Sequence, residues 1–66
     1  MTLIHYTELI RNDASGKVWL TCYQTKVCTE TGVSLSVRMW RIEENGRIVR
    51  DYLLKRPRRK QLEKYI

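Results

Sequence analysis

The sequence holds few of the side chains from which catalytic and metal sites are built. It has one histidine, His5, two cysteines, Cys22 and Cys28, and three glycines that stand apart from one another. Without a glycine-rich run there is no loop to cradle a phosphate against bare backbone. His5 with Glu8 is the closest approach to an acid–base pair, and a lone histidine near a terminus more often serves packing or the surface. The expectation is therefore a protein that is not an enzyme. A structural zinc site wants four ligands, often with paired short cysteine spacings. Cys22-x5-Cys28 with one histidine falls short, so neither a metal nor another cofactor is expected.

The cysteines are also badly spaced for a staple. On one continuous strand they stand roughly 20 Å apart at ~3.3 Å per residue, whereas a disulfide needs Cα atoms about 4.4–6.8 Å apart. Two reduced thiols that fill space as small hydrophobes are expected instead. Long apolar runs are missing as well. No segment approaches the ~18 apolar residues of a membrane span, and residues 1–8 lack the basic start and apolar stretch of a secretory leader. A cytoplasmic protein with no membrane span is the expectation. The 66 residues suffice for a single domain over 1–66, with 1–54 as a sheet scaffold and 55–66 as a basic helix or tail. So short a chain buries only ~60% of its unfolded surface, and the core of a domain this size rarely gives more than about 3–5 kcal/mol. With disulfide and metal both unpromising, self-association as a homodimer becomes attractive.

What the sequence does have is positive charge, unevenly placed. The net charge is +6, yet residues 1–33 balance Arg11, Lys17 and Lys26 against Glu8, Asp13 and Glu30. The other ten basic side chains lie in residues 34–66 against four acids, and they peak at Lys55-Arg56-Pro57-Arg58-Arg59-Lys60. A positive surface keeps a small protein soluble, but solubility does not require clustering. The asymmetry points to an anionic partner: nucleic acid, an acidic protein surface or anionic lipid.

Turn signals at 12–16, 29–32 and 45–46 divide runs rich in Val, Ile, Thr, Tyr and Trp, which suit a pleated, half-buried surface. The predicted fold is α+β and β-rich: a small antiparallel three- to four-stranded meander sheet with a short basic C-terminal helix. Asn45-Gly46 is the strongest signal, because a type I′ hairpin needs positive φ at both central residues. It joins strand 33–44 to strand 47–54 and sets Ile42 opposite Val49, Trp40 opposite Asp51 and Arg41 opposite Arg50. Residues 47–54 could alternatively place Ile48, Val49, Tyr52 and Leu53 on one helical face; the hairpin turn favours a strand. Taking 29–32 as a four-residue loop pairs Cys28 with Val33, Cys22 with Met39 and Tyr23 with Arg38. One face then collects Val18, Leu20, Cys22, Val33, Leu35, Val37, Met39, Tyr52 and Leu54 as the core. The other collects Trp19, Tyr23, Arg38, Trp40, Ile42, Val49 and Leu53. A slip of one residue would exchange the faces. Residues 2–11 read as a fourth strand or a short helix, the strand being favoured. Pro57 suits a helix start, and Leu62, Tyr65 and Ile66 share one stripe of a helix over 57–65. Arg58, Arg59 and Lys60 would crowd its first turn, where the macrodipole disfavours cations.

The candidate anion-binding residues are Arg38, Arg41, Arg50, Lys55, Arg56, Arg58, Arg59 and Lys60. Tyr23 and Trp40 are candidate stacking partners, since aromatic rings interleaved with arginine on a sheet can hold bases and phosphates together. The same rings could instead form a second core layer, with Arg38 covering Tyr23. Arg41 and Arg50, face to face, require compensation by an anion or by Glu43 or Glu8. Two functions follow. The first is a small nucleic-acid-binding accessory or regulatory protein acting through the C-terminal Arg/Lys patch. The second is a small protein-binding inhibitor or adaptor of the mobile-element type, docking on an acidic host surface through an exposed strand edge or Trp40.

Overall fold

The computed structural model describes residues 2–65. Four strands follow in order: β1 (Leu3–Asp13), β2 (Gly16–Cys28), β3 (Ser34–Glu44) and β4 (Arg47–Leu53). They form one antiparallel sheet in that same order, and a single helical turn, α1 (Arg59–Leu62), runs into a 3-10 turn at Glu63–Tyr65. The four-stranded meander with a short C-terminal helix is as the sequence predicts, and residues 3–13 are strand. No described helix is long and apolar enough to cross a membrane.

Two turns meet at one end of the sheet and are laced together. Asp13 pairs with Gly16 across a two-residue loop. The Asp13 carboxylate accepts hydrogen bonds from the Ser15 backbone N–H (2.9 Å) and hydroxyl (2.6 Å), and these, the hydroxyl bond foremost, hold its pKa below the ordinary value. At the other turn Asn45 (φ 52°) and Gly46 (φ 81°) are both left-handed, as a type I′ turn demands. Asn45 accepts the Lys17 N–H on Oδ1 at 2.9 Å and donates its own N–H to the Lys17 carbonyl at 2.9 Å. Gly16 makes room for this contact: it sits at φ 127°, and a Cβ there would lie 1.8 Å from Asn45 Oδ1.

The register between β2 and β3 corrects the sequence reading by one residue. Cys28 pairs with Ser34, Cys22 with Trp40 and Tyr23 with Met39. Thr29 belongs to the ladder, its N–H bonded to the Val33 carbonyl at 2.8 Å, so the loop is the three residues 30–32 rather than four. Gly32 at φ 82° closes it with an N–H bond to the Thr29 carbonyl at 2.9 Å, the arrangement expected of a three-residue hairpin loop. Because strand faces alternate, this odd loop exchanges every β3 side chain relative to β2. Ile42 and Trp40 therefore join Val18, Leu20 and Cys22 on one face. Val37 and Met39 go to the other with Trp19 and Tyr23, and the expected grouping of Trp19, Tyr23, Arg38 and Trp40 is split.

The strand β4 departs from the predicted pairing as well. Glu44 pairs with Arg47 as the turn requires, but Ile42 pairs with Arg50 and Trp40 with Leu53. Two bulges accumulate along β4, so Arg50 does not face Arg41. The second bulge leaves Tyr52 at φ 59°. Tyr52 and Leu54, expected in the core, are 73% and 69% exposed.

The core is small: Val18, Leu20 and Ile42 are buried as one cluster, and Ile10, Trp40, Val49, Leu53, Leu62 and Tyr65 pack around it. Leu62 and Tyr65 thus form the predicted apolar stripe; its third member, Ile66, lies outside the described residues. Pro57 does not start the helix. It is buried ahead of it, and Arg58 takes the N-cap position, its N–H bonded to the Gln61 side-chain oxygen at 2.9 Å. Arg11 fastens the C-terminal turn to the sheet by donating to the Tyr65 carbonyl at 2.7 Å. Both thiols are free, Cys22 buried and Cys28 exposed on the same strand.

Candidate nucleic-acid interface

The basic side chains separate into two groups, those engaged by the protein itself and those turned to solvent. Arg41 belongs to the first. Its guanidinium lies 3.5 Å from Glu43 and 3.7 Å from Asp51 and stacks 4.5 Å from the Tyr23 ring centroid. Burial opposes its charge, but Asp51, Tyr23 and Glu43 outweigh that effect and raise its pKa. Compensation thus comes from Glu43 and from Asp51, the carboxylate that the bulge brings alongside.

Tyr23 completes this cluster. It is 3% exposed, and its hydroxyl donates to Asp51 Oδ1, which also accepts the Tyr52 N–H at 2.7 Å. Burial first, then the Asp51 carboxylate, push the Tyr23 pKa up. Arg41 roofs the ring and the residue is buried, so the expected stacking partner has no face to offer a base.

Arg56 is engaged in the same way on the opposite face. Its Nη2 lies 2.7 Å from Glu8 Oε2, its Nη1 donates to the Tyr6 hydroxyl at 3.1 Å, and its guanidinium stands 5.5 Å from the Trp40 ring centroid. Tyr6 meets Trp40 edge to face, with centroids 5.6 Å apart. Trp40, the second expected stacking partner, is packed against the core beneath these two residues. The rings are packed, but not as the sequence suggested: Arg41 rather than Arg38 covers Tyr23, and Trp40 packs against the core while Trp19 lies on the other face.

Arg38, Arg50, Lys55, Arg58, Arg59 and Lys60 are all exposed and form no ion pair among the described residues. They are not contiguous. Arg38 sits on β3 opposite Gln24. Arg50 borders a small cleft with Pro57, Gln61 and Lys64. Lys55, Arg58 and Lys60 come together, with Arg56, around an open groove of about 730 Å³ between the end of β4 and α1.

Tyr52 and Leu54 line the same groove. Tyr52 is the functional candidate that sequence reasoning missed, because alternation assigned it to the core. A signal for it exists in Asp51: aspartate is disfavoured within strands and readily bonds neighbouring backbone N–H groups, as it does here. In the left-handed region a bulky residue is held at a cost of about 1–2 kcal/mol, and Tyr52 has no burial to offset it. No protein-family model, curated protein or solved structure matches the chain.

Proposed function

We propose that this protein binds nucleic acid, as an accessory or regulatory factor of the cytoplasm rather than as an enzyme, through the groove at its C-terminal end. The observation that carries the reading is the convergence of Lys55, Arg58 and Lys60, each free of a described carboxylate, beside the solvent-exposed ring of Tyr52. Cations that hold phosphates and an aromatic ring that stacks on a base are the two components of single-strand recognition. The groove is open and lacks a helix that could enter a duplex groove, which also favours an unpaired strand. Arg59 and Arg50 flank the path and add to the local field; Arg41 and Arg56 hold the fold instead.

Fluorescence anisotropy of a labelled single-stranded oligonucleotide across a salt series tests this. Affinity should fall steeply with salt, and replacing Lys55, Arg58 and Lys60 together by glutamine should reduce the slope by about 0.7 for each phosphate no longer neutralised. Tyr52→Ala should weaken binding by about 1–3 kcal/mol with the slope unchanged. Absent or salt-independent binding at low ionic strength would defeat the reading.

The protein-binding reading keeps one supporting observation, the free outer edge of β3. The pairing of β4 stops at Trp40, so residues 34–39 have no neighbouring strand on that side among the described residues, and such an edge can accept an added strand. Trp40 no longer serves as its anchor. Affinity capture after nuclease treatment separates the readings: loss of every partner supports nucleic acid, and one stoichiometric protein surviving supports an inhibitor or adaptor.

A further inference from the structure

The sheet has a second face on which no described element packs; Thr21, Tyr23 and Met39 at its middle are already buried, and the apolar residues around them are not. The strand registers place Ile4, Leu9, Trp19, Val27, Leu35 and Ile48 there, away from the face that carries Val18, Leu20, Ile42 and α1. Five of these six are 39–50% exposed and Trp19 is half-buried. The pairing of β1 starts at Leu3 opposite Gln24 and that of β4 ends opposite Trp40. Residues 25–37 therefore leave the sheet as a two-stranded arm. Val27, Leu35 and Val37 lie on one of its faces, and Lys26, Ser34 and Ser36 on the other. A lone two-stranded ribbon is marginal in water, and a sheet is stable once its apolar face has a second layer.

We propose that the occupant of this face is a second copy of the same chain, packed sheet to sheet about a two-fold axis with its arm laid across its partner. Charge selects that occupant. The face carries Lys17 and Arg41 against Glu43 and Asp51, which balance, whereas the chain as a whole is +6. An anionic partner is drawn to the helix side, where the surplus lies. A neutral face, with Arg41 already paired to Glu43 and Asp51 of its own chain, lets two cationic chains meet about a two-fold axis without mutual repulsion. Area is consistent with this. The two longer dimensions of the molecule, 47 and 22 Å, outline roughly 1,000 Å², and a stable interface takes about 800 Å² from each partner.

Sedimentation velocity on the full chain, without nucleic acid, tests the proposal. The expected mass is twice the 8.0 kDa of one chain at tens of micromolar. Leu35→Glu in the arm and Leu9→Glu in the sheet, both at exposed positions, should each yield monomer with the strand circular dichroism intact. Arg58→Glu, on the opposite side, should leave the dimer unchanged. A wild-type monomer at that concentration, or a dimer that survives Leu35→Glu, would overturn it; the second result places the interface elsewhere. Should Leu9→Glu unfold the chain, Leu35→Glu decides, because the arm lies outside the core. The mass is read without nucleic acid, so failure here leaves the groove reading standing, and failure of that reading leaves the dimer.

Discussion

At the scale of single residues, Tyr52 and Tyr23 are opposites held by the same carboxylate. Asp51 accepts the backbone N–H of Tyr52 and the hydroxyl of Tyr23, which exposes one ring at a bulge and buries the other. Tyr52→Gly relieves a left-handed conformation without uncovering apolar surface. It should raise stability in urea by about 1 kcal/mol while weakening oligonucleotide binding; a loss of stability would show that the ring packs after all. Tyr23→Phe should cost about 1.5 kcal/mol, since it removes a hydrogen bond to a charged group. The folded state raises the Tyr23 pKa above its ordinary 10.0, so it holds that proton more tightly than the unfolded chain does. The contribution is complete below pH 10.0 and fades as pH rises through the folded value. Urea midpoints across an alkaline series should therefore fall for the wild type and fall less for Tyr23→Phe.

At the scale of elements, the turns decide how much of the fold is legible. Asn45-Gly46 can be read because those two residues satisfy one turn type well and others poorly. Thr29-Glu30-Thr31-Gly32 cannot, because nothing in the four residue types says whether Thr29 is the first of the loop or the last of the ladder. That single residue decides which face of β3 is buried. The bulges of β4 are hidden for a related reason: alternation assumes an unbroken pleat, and Asp51 breaks it by bonding to local backbone. Which cations are free is equally hidden, because Arg56 meets Glu8 across 48 residues of chain. Two glycines offer contrasting tests. At Gly16 a methyl group meets Asn45 Oδ1 in a conformation L-residues avoid, and Gly16→Ala should cost about 3 kcal/mol by denaturant unfolding. At Gly32 nothing lies within 4 Å of the added carbon, so Gly32→Ala should cost only the left-handed backbone, about 1 kcal/mol.

At the scale of the whole molecule, the longest dimension is 47 Å, and the described residues form a single sheet with α1 packed toward one end. The charge follows the same axis loosely: the surplus of the second half gathers beside α1, while the arm carries little. Partition of this kind lets one small chain present an anion-binding end and an apolar face without either interfering with the other. The lacing of the two turns by Asn45 and Lys17 has a further consequence for motion. It joins the beginning of the second strand to the end of the third at the pole where two turns meet, whereas at the arm the side-chain hydrogen bonds, Gln24 to Ser36 at 2.5 Å and the Val33 N–H to Thr29 Oγ1 at 3.1 Å, link two strands that no other described strand flanks. Opening should therefore travel like a zipper from the arm inward. In amide hydrogen exchange on the isolated chain, residues 26–36 should exchange first, and Lys17, Val18, Leu20 and Ile42 last, near the rate of global unfolding.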